Sequence, residues 1–244
     1  MSLNRFYAPF HSGLQDIWLD KSETHHLQHV KRMGIGDMLV LFNGEGDECD
    51  AKIIEVKGGR VRAEIGRIKA FSRESKVRID IAFAIPKGRY SQFLVQKCTE
   101  LGVQRLIPLH YERSVVRIKR GCSDKIEKWK RVVIETSKQC GRNMITEIAA
   151  VENFDTLLKR VSDYDLSLFA CSQSETNDFK NILKEHQKVN KIIGFIGPEG
   201  GFTTNEMRMA KEAGCQFVSL GEQILRVETA AIAISSILTY HYLN

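Results

Sequence analysis

The sequence of 244 residues lacks the segments that would place a protein in a membrane or export it. No stretch of roughly 18 apolar residues occurs, which excludes an ordinary transmembrane helix. The first residues contain no apolar signal-peptide core, so we expect a cytoplasmic protein. Six cysteines are scattered without a Cys-x-x-Cys pair, as is typical of a reducing compartment. His25, His26 and His29 cluster without a further nearby ligand, so we expect no bound metal and interpret them as a solvated helix face or an RNA contact.

The chain also lacks the two commonest phosphate-binding motifs, Gly-x-x-x-x-Gly-Lys-[Ser/Thr] and Gly-x-Gly-x-x-Gly. It contains instead a first glycine loop, 196–202 (IGPEGGF), and a second glycine loop, 220–230 (LGEQILRVETA). Each follows a predicted strand and precedes a predicted helix, and an open α/β sheet binds ligands at the carboxyl ends of such strands. We predict that both loops line one pocket for an adenosine-type cofactor without a phosphate. Glycines that only form tight turns are the alternative.

Positive charge is concentrated in one segment of the chain. The formal net charge is +6, yet residues 113–142 alone contain ten basic and three acidic side chains. This local excess favours nucleic acid as the partner, and a solvated helix face is the alternative. The basic residues of the segment are Arg113, Arg117, Lys119, Arg120, Lys125, Lys128, Lys130, Arg131, Lys138 and Arg142.

Hydrophobic patterning divides the chain into two regions. Residues 4 to about 70 are predicted to form a small β-rich barrel, with one helix at 22–31 capped by Ser22 and a hairpin turn at 57–59. After a polar linker at 71–76, strands and helices alternate, which predicts a mainly parallel sheet. The predicted strands are 37–42, 49–56, 60–68, 79–85, 105–109, 147–151, 166–170, 191–196 and 216–220. The predicted helices of the second region are 90–101, 124–140, 154–161, 176–186, 204–213 and 229–242.

Two of these helices have distinctive features. Thr203 and Glu206 fit a capping box at the start of 204–213, and Gly214 is a natural stop. The helix at 229–242 is apolar nearly all round, so it must be buried against the sheet or a partner subunit.

The two glycine loops together resemble SPOUT-class RNA methyltransferases. The match is most specific to the bacterial ribosomal RNA small subunit methyltransferase E family, which methylates N3 of the 16S rRNA uridine conventionally numbered 1498. The resemblance extends along the chain to residues 5–6, 26–32, 42–44, 97–103, 112–114 and 139–142.

The resemblance implies an α/β fold with two domains. Residues 1–71 would form a PUA-like β-barrel RNA-binding domain, and residues 77–244 a SPOUT methyltransferase domain with a parallel sheet and a C-terminal trefoil knot. The cofactor would be S-adenosylmethionine, the substrate 16S rRNA in the 30S subunit, and the active form a homodimer. Open alternatives are a SPOUT enzyme acting on tRNA or 23S rRNA, a non-catalytic RNA-binding assembly factor, and a nucleotide-dependent α/β enzyme unrelated to RNA.

The candidate site residues follow from the loops and from the resemblance. Arg226 is the candidate catalytic residue, because a cation would stabilise a uridine that becomes anionic; a salt bridge to Glu199 or Glu228 is its alternative role. The candidate cofactor residues are Phe169, Ala170, Ile196, Gly197, Pro198, Glu199, Gly200, Gly201, Leu220, Gly221, Ile224, Leu225, Arg226, Thr229 and Ala230. The candidate RNA-binding residues are Arg5, Arg32, Lys97, Arg113 and Arg142.

Overall fold

A computed structural model describes residues 4–70, 73–118, 123–171 and 178–243. Contacts divide the chain into two compact units. The first unit contains the chain up to Glu74 together with Ile134–Ile145, and the second contains Ser75–Val133 and the chain from Thr146 onward. Two residues of the predicted linker, 71 and 72, lie outside the described residues. Among the helices of the described ranges, none has the length and apolar character to cross a membrane.

The first unit is built on a five-stranded sheet in the order β1-β3-β4-β5-β2. Its strands are β1 (Arg5–Tyr7), β2 (Asp16–Trp18), β3 (Met38–Phe42), β4 (Asp47–Lys57) and β5 (Arg60–Ala70). The hairpin predicted between β4 and β5 is confirmed: Gly58 and Gly59 turn it with φ of +57° and +68°, the left-handed conformation of a tight hairpin. Register shifts after Cys49 and Ile53 bend the long β4 strand. Complete closure into a barrel stays a prediction.

The predicted helix at 22–31 is wrong in two details. Helix α1 spans Lys21–His25, and Asp20, rather than Ser22, is its N-cap, accepting the Glu23 amide at 2.7 Å. A π-helical turn, His26–Val30, follows directly. Asp and Ser cap helices about equally well, so the sequence could not decide between two candidates this close.

The second unit contains a parallel sheet of seven strands in the order β12-β10-β11-β6-β7-β8, with β9 also pairing with β7. Every ladder in it is parallel, as predicted. Its strands are β6 (Arg78–Ala84), β7 (Arg105–His110), β8 (Glu147–Ile148), β9 (Glu152–Asn153), β10 (Leu166–Ala170), β11 (Lys191–Ile196) and β12 (Gln216–Val218). Within the described residues, the remaining α-helices are α2 (Tyr90–Glu100), α3 (Ser123–Cys140), α4 (Phe154–Leu158), α5 (Phe179–Glu185), α6 (Thr204–Glu212) and α7 (Val227–His241).

Most sequence-predicted elements of this unit are present, with shifted ends. Of the strand predicted at 147–151, only the first two residues form a strand, β8, and the next strand, β9, begins after the predicted end. The first two residues of the helix predicted at 176–186 lie outside the described residues. Helix α6 has the predicted capping box between Thr203 and Glu206.

One face of the apolar helix α7 is buried, as its composition requires, whereas Ile237 and Tyr240 remain exposed on it. It packs against α2 and against strands β6 and β11. Gly194 of β11 allows this close packing, because a Cβ there would lie 3.1 Å from Ile234 of α7 and 3.2 Å from Ile81 of β6. The helix begins at Val227, two residues before the predicted start, and its N-cap is Arg226.

Candidate active site

The two glycine loops form the walls of one cavity in the second unit, with a volume of about 370 Å³. The first loop follows β11 and the second follows β12, while β10 lies between these two strands in the sheet. This volume lies within the range of small-ligand sites. The cavity is lined by Arg113, Ala170, Cys171, Ile196, Gly197, Pro198, Glu199, Gly200, Gly201, Phe202, Met207, Leu220, Gly221, Gln223, Ile224, Leu225, Val227 and Ala230.

The structure brings together nearly all of the candidate cofactor residues. Only Phe169, Arg226 and Thr229 are not among the lining residues of the described chain. Phe169 is fully buried behind the wall, where its ring centroid lies 3.9 Å from that of Phe202. Arg113 and Met207 are lining residues that sequence reasoning did not place here, because they come from other elements of the fold.

The first glycine loop favours glycine at two positions, one for its backbone conformation and one for the space it leaves. The Gly201 amide donates to the Pro198 carbonyl at 2.8 Å, and Gly201 has a φ of +69°. A Cβ on Gly197 would lie 2.7 Å from the ring of Phe202. Phe202 in turn packs against Tyr111, with ring centroids 5.3 Å apart. The loop is therefore fixed on the aromatic core.

Arg113 contacts this loop through its side chain. Its Nη1 donates to the carbonyl oxygens of Gly200 at 3.0 Å and Phe202 at 3.3 Å. The neighbouring Glu112 amide donates to Glu206 Oε1 at 2.8 Å, and Glu206 belongs to the capping box of α6. Arg113 was predicted to contact RNA; the structure places its guanidinium on the first glycine loop.

Arg226 is exposed at the start of α7. Its guanidinium lies 5.6 Å from the ring centroid of Tyr90, and its Nη1 donates to Tyr90 Oη at 3.5 Å. No ion pair joins it to Glu199 or Glu228, both of which the structure describes. Its positive charge is therefore accessible within the second glycine loop.

Two candidate RNA-binding arginines lie instead in buried ion pairs of the first unit. Arg142 donates to Glu74 through Nε at 2.9 Å and Nη2 at 2.6 Å, and Arg5 Nη1 donates to Glu48 at 2.7 Å. Their side chains are only 7% and 8% exposed. Burial alone would raise the pKa of Glu48, but hydrogen bonds from Arg73 and Arg5 hold it below its ordinary value. These contacts assign both arginines a part in the packing of the unit.

The other candidate RNA contacts are more accessible. Arg32 is exposed and is the one non-glycine residue of the described chain with a positive φ, +55°. Lys97 forms an ion pair with Glu100 at 2.8 Å. Lys128, Lys130 and Arg131 of α3 are exposed, whereas Lys119 and Arg120 lie outside the described residues.

Two histidines of the cluster contact each other, and the third contacts a lysine of helix α3. The rings of His25 and His29 lie 4.6 Å apart, and His26 Nδ1 lies 3.1 Å from Lys138 Nζ. Burial, and next the charge of Lys138, lower the pKa of His26. Across the described ranges, no group of three or more His, Cys, Asp or Glu side chains could hold a metal ion.

Both units match models of known protein families. An RNA methyltransferase domain model matches residues 73–239, and an RNA methyltransferase PUA domain model matches residues 19–66. Ribosomal RNA small subunit methyltransferase E of Bacillus subtilis is 31% identical over 89% of this chain and 87% of its own length. The protein of the same name from Buchnera aphidicola (subsp. Schizaphis graminum) is 32% identical over 90% of this chain and 88% of its own.

Two solved structures share the fold over nearly the whole chain. A Legionella pneumophila protein, solved in complex with the bound cofactor SAM, has a TM-score of 0.91 and 32% identity, with 98% of each chain covered. A ribosomal RNA small subunit methyltransferase E of Neisseria gonorrhoeae, bound to S-adenosyl methionine, has a TM-score of 0.88 and 29% identity, also with 98% of each chain covered.

Proposed function

The chain belongs to the ribosomal RNA small subunit methyltransferase E family, and from this premise we propose that it transfers a methyl group from S-adenosylmethionine to N3 of a uridine in 16S rRNA. The observation that carries the proposal is the single cavity that the two glycine loops enclose at the carboxyl edge of the parallel sheet. The 30S subunit is the proposed substrate particle, and the cytoplasm is the proposed location.

The residues of the cavity fit S-adenosylmethionine. The ligand carries an adenosine and an amino acid but no phosphate, and the lining has much backbone and apolar surface and no lysine. Backbone groups of 196–201 and 220–225 would hold the adenosine, with Ile196, Ile224 and Leu225 as apolar walls. The missing Cβ at Gly197 leaves room for the Phe202 ring that supports this wall. When bound, S-adenosylmethionine supplies a methyl group on a sulfonium, which is already electrophilic.

The chain's own residues have two tasks in this reaction. The loops hold the reactants in line, which converts a bimolecular step into an effectively unimolecular one. Uridine N3 is a poor nucleophile until it loses its proton, which passes to water or to a carboxylate such as Glu199. Arg226, exposed within the second glycine loop, stabilises the negative charge that then develops on the uracil oxygens. Tyr90 orients the Arg226 side chain through its ring and its hydroxyl.

RNA binding is proposed to involve both predicted domains, 1–71 and 77–244. The PUA-domain match at residues 19–66 supports the first, together with the exposed Arg32. The exposed basic side chains of α3 support the second. The trefoil knot at the C-terminus is proposed from membership of the family.

A homodimer is proposed as the active form. Its support is a set of large apolar side chains that remain exposed on the packed helices α2 and α7: Phe93 is 44%, Ile237 38% and Tyr240 85% exposed. Such side chains mark a protein interface when they form one contiguous patch, and the packing of α2 on α7 brings the two helices that carry them together.

Mass mapping of methylated nucleosides in RNA from a strain without the gene, and from the same strain with the gene restored, tests the proposal. We expect one N3-methyluridine of 16S rRNA to disappear and return. A change in tRNA or 23S rRNA instead would give the enzyme another substrate. A complete set of modifications in both strains would favour a non-catalytic assembly factor.

A further inference from the structure

We infer that Arg113 is a positioning residue of the cofactor cavity, which fixes the first glycine loop in its ligand-binding shape. The inference depends on the proposed function for the identity of the ligand. The contacts that carry it are those of the loop itself, and these can be tested without any ligand.

The two carbonyl groups that Arg113 contacts lie on either side of Gly201. One guanidinium nitrogen donates to Gly200 at 3.0 Å and to Phe202 at 3.3 Å. Gly201, between them, has a φ of +69° and closes the turn onto Pro198. Arg113 therefore bridges the only residue of this loop that has a left-handed backbone, and it satisfies two carbonyls that the turn leaves unpaired.

The backbone on either side of Arg113 is fixed by hydrogen bonds of its own. The Tyr111 amide donates to Ser114 Oγ at 2.9 Å, and the Ser114 amide donates back to the Tyr111 carbonyl at 3.1 Å. The Glu112 amide donates to Glu206 at the start of α6. Residues 111–114 thus form a short, closed turn that contacts both the first glycine loop and the helix that follows it.

The opposite side of the loop is fixed by packing. Phe202 is 9% exposed and lies between Phe169 and Tyr111, so it cannot move without opening the aromatic core. The loop backbone therefore has an apolar anchor on one side and Arg113 on the other. Loss of Arg113 frees the Gly200–Gly201 segment, which lines the cavity, and leaves Phe202 in place. A ligand that binds there would then have to order this segment, and the entropy cost of doing so would lower its affinity.

Hydrogen exchange on the ligand-free protein is the first test. Arg113→Ala should speed amide exchange across 197–202, whereas Arg117→Ala should leave it unchanged. Arg117 is the matched control because it carries the same charge on the same exposed segment, and its side chain donates to the Glu112 carbonyl rather than to the loop. Equal exchange in both variants would overturn the inference, whatever the ligand is.

Calorimetry with S-adenosylmethionine, without RNA, is the second test. Without Arg113 the ligand would have to order the loop as it binds, so we expect Arg113→Ala to raise Kd by about tenfold. Arg113→Lys keeps the charge, but its ammonium ends one bond short of the position of Nη1, so it should retain RNA affinity and restore only part of the cofactor affinity. Arg117→Ala should bind within about twofold of the parent protein.

The two tests separate the inference from the proposed function. A parent protein that does not bind S-adenosylmethionine, with faster loop exchange in Arg113→Ala, would contradict the proposed function and leave the loop role supported. Normal cofactor affinity in Arg113→Ala, with reduced RNA affinity, would make Arg113 an RNA contact only and overturn the inference.

Discussion

At the scale of single residues, Arg226 is the side chain on which the proposed chemistry depends most. We predict that Arg226→Ala lowers the single-turnover rate of methyl transfer to 30S subunits by about 10²–10³, the range for loss of one oxyanion donor. Cofactor affinity and melting temperature should change little, because its side chain contacts only exposed Tyr90 in the described structure. A normal rate would remove Arg226 from the mechanism, and a joint loss of rate, affinity and stability would make its role structural.

Gly197 offers a steric test of the first glycine loop. A methyl group there would lie 2.7 Å from the Phe202 ring, so we predict that Gly197→Ala destabilises the protein by about 1–3 kcal/mol and weakens cofactor binding. Thermal unfolding and calorimetry measure the two effects. Gly34→Ala is the control, since nothing lies within 4 Å of the added Cβ and its φ is not left-handed. Equal melting temperatures for the two variants would show that the loop has room to move.

Arg32 is the accessible candidate for a phosphate contact. Arg32→Gly removes the charge and suits the observed φ of +55°, so a change in RNA affinity could not be attributed to backbone strain. We predict weaker RNA binding and a slope of log affinity against log salt that is smaller by roughly 0.7–0.9. Arg32→Lys, which keeps the charge, should bind nearly normally. Unchanged affinity and slope in the glycine variant would rule out a phosphate contact at this position.

Residue by residue, the sequence predicted what is local and missed what is distant. The glycine loops could be found because each has its own composition and follows its own strand. The contact of Arg113 joins residues 87 and 89 positions apart, and the ion pair of Arg142 with Glu74 spans 68 positions. No local pattern reveals such partners. The sequence analysis therefore predicted RNA contacts for these arginines from the local excess of basic residues.

At the scale of secondary-structure elements, the sequence-based prediction succeeded where the hydrophobic pattern is regular and where turn or capping residues mark the ends. The sequence predicted strands β10 and β11 to the residue, and the capping box of α6 is present. Strands β1 and β2 have three residues each, too few for a visible alternation, and the sequence analysis did not define them. The π-helical turn at His26–Val30 has no signature in a single sequence.

The pairing of Arg5 in β1 with Glu48 in β4 gives an element-scale prediction. Because the folded-state pKa of Glu48 lies below its ordinary value of 4.5, its ionised form stabilises the fold at neutral pH. That contribution is lost as the pH falls below 4.5 through the lowered folded-state pKa. We predict that Glu48→Gln reduces the free energy of unfolding by about 1.5–3 kcal/mol at neutral pH, the range for a hydrogen bond to a charged group, and that the difference from the parent protein shrinks in acid.

Urea unfolding at a series of pH values measures this effect. Asp50→Asn is the matched control, because its ion pair with Lys69 is about half exposed on both sides and such surface pairs contribute little to stability. A difference between Glu48→Gln and the parent that stays constant down to acidic pH would show that Glu48 does not titrate with folding.

At the scale of the whole molecule, the parallel order of the large sheet brings the two glycine loops together. They follow β11 and β12, which are separated in the sheet by one strand, β10. The sequence predicted the parallel sheet and the shared pocket. It could not supply the strand order, since that depends on contacts between distant parts of the chain, nor the closed turn at 111–114 that completes the cavity.

Isotope-labelled methyl transfer by the purified protein to unmethylated 30S subunits tests the central claim most directly. After digestion of the RNA to nucleosides, mass spectrometry identifies the labelled product. We predict a single labelled nucleoside, N3-methyluridine, which comes from 16S rRNA and is absent when S-adenosylmethionine is omitted. Label on another nucleoside or on the ribose would contradict the account. So would a protein that binds both the cofactor and the 30S subunit but transfers no label to the RNA.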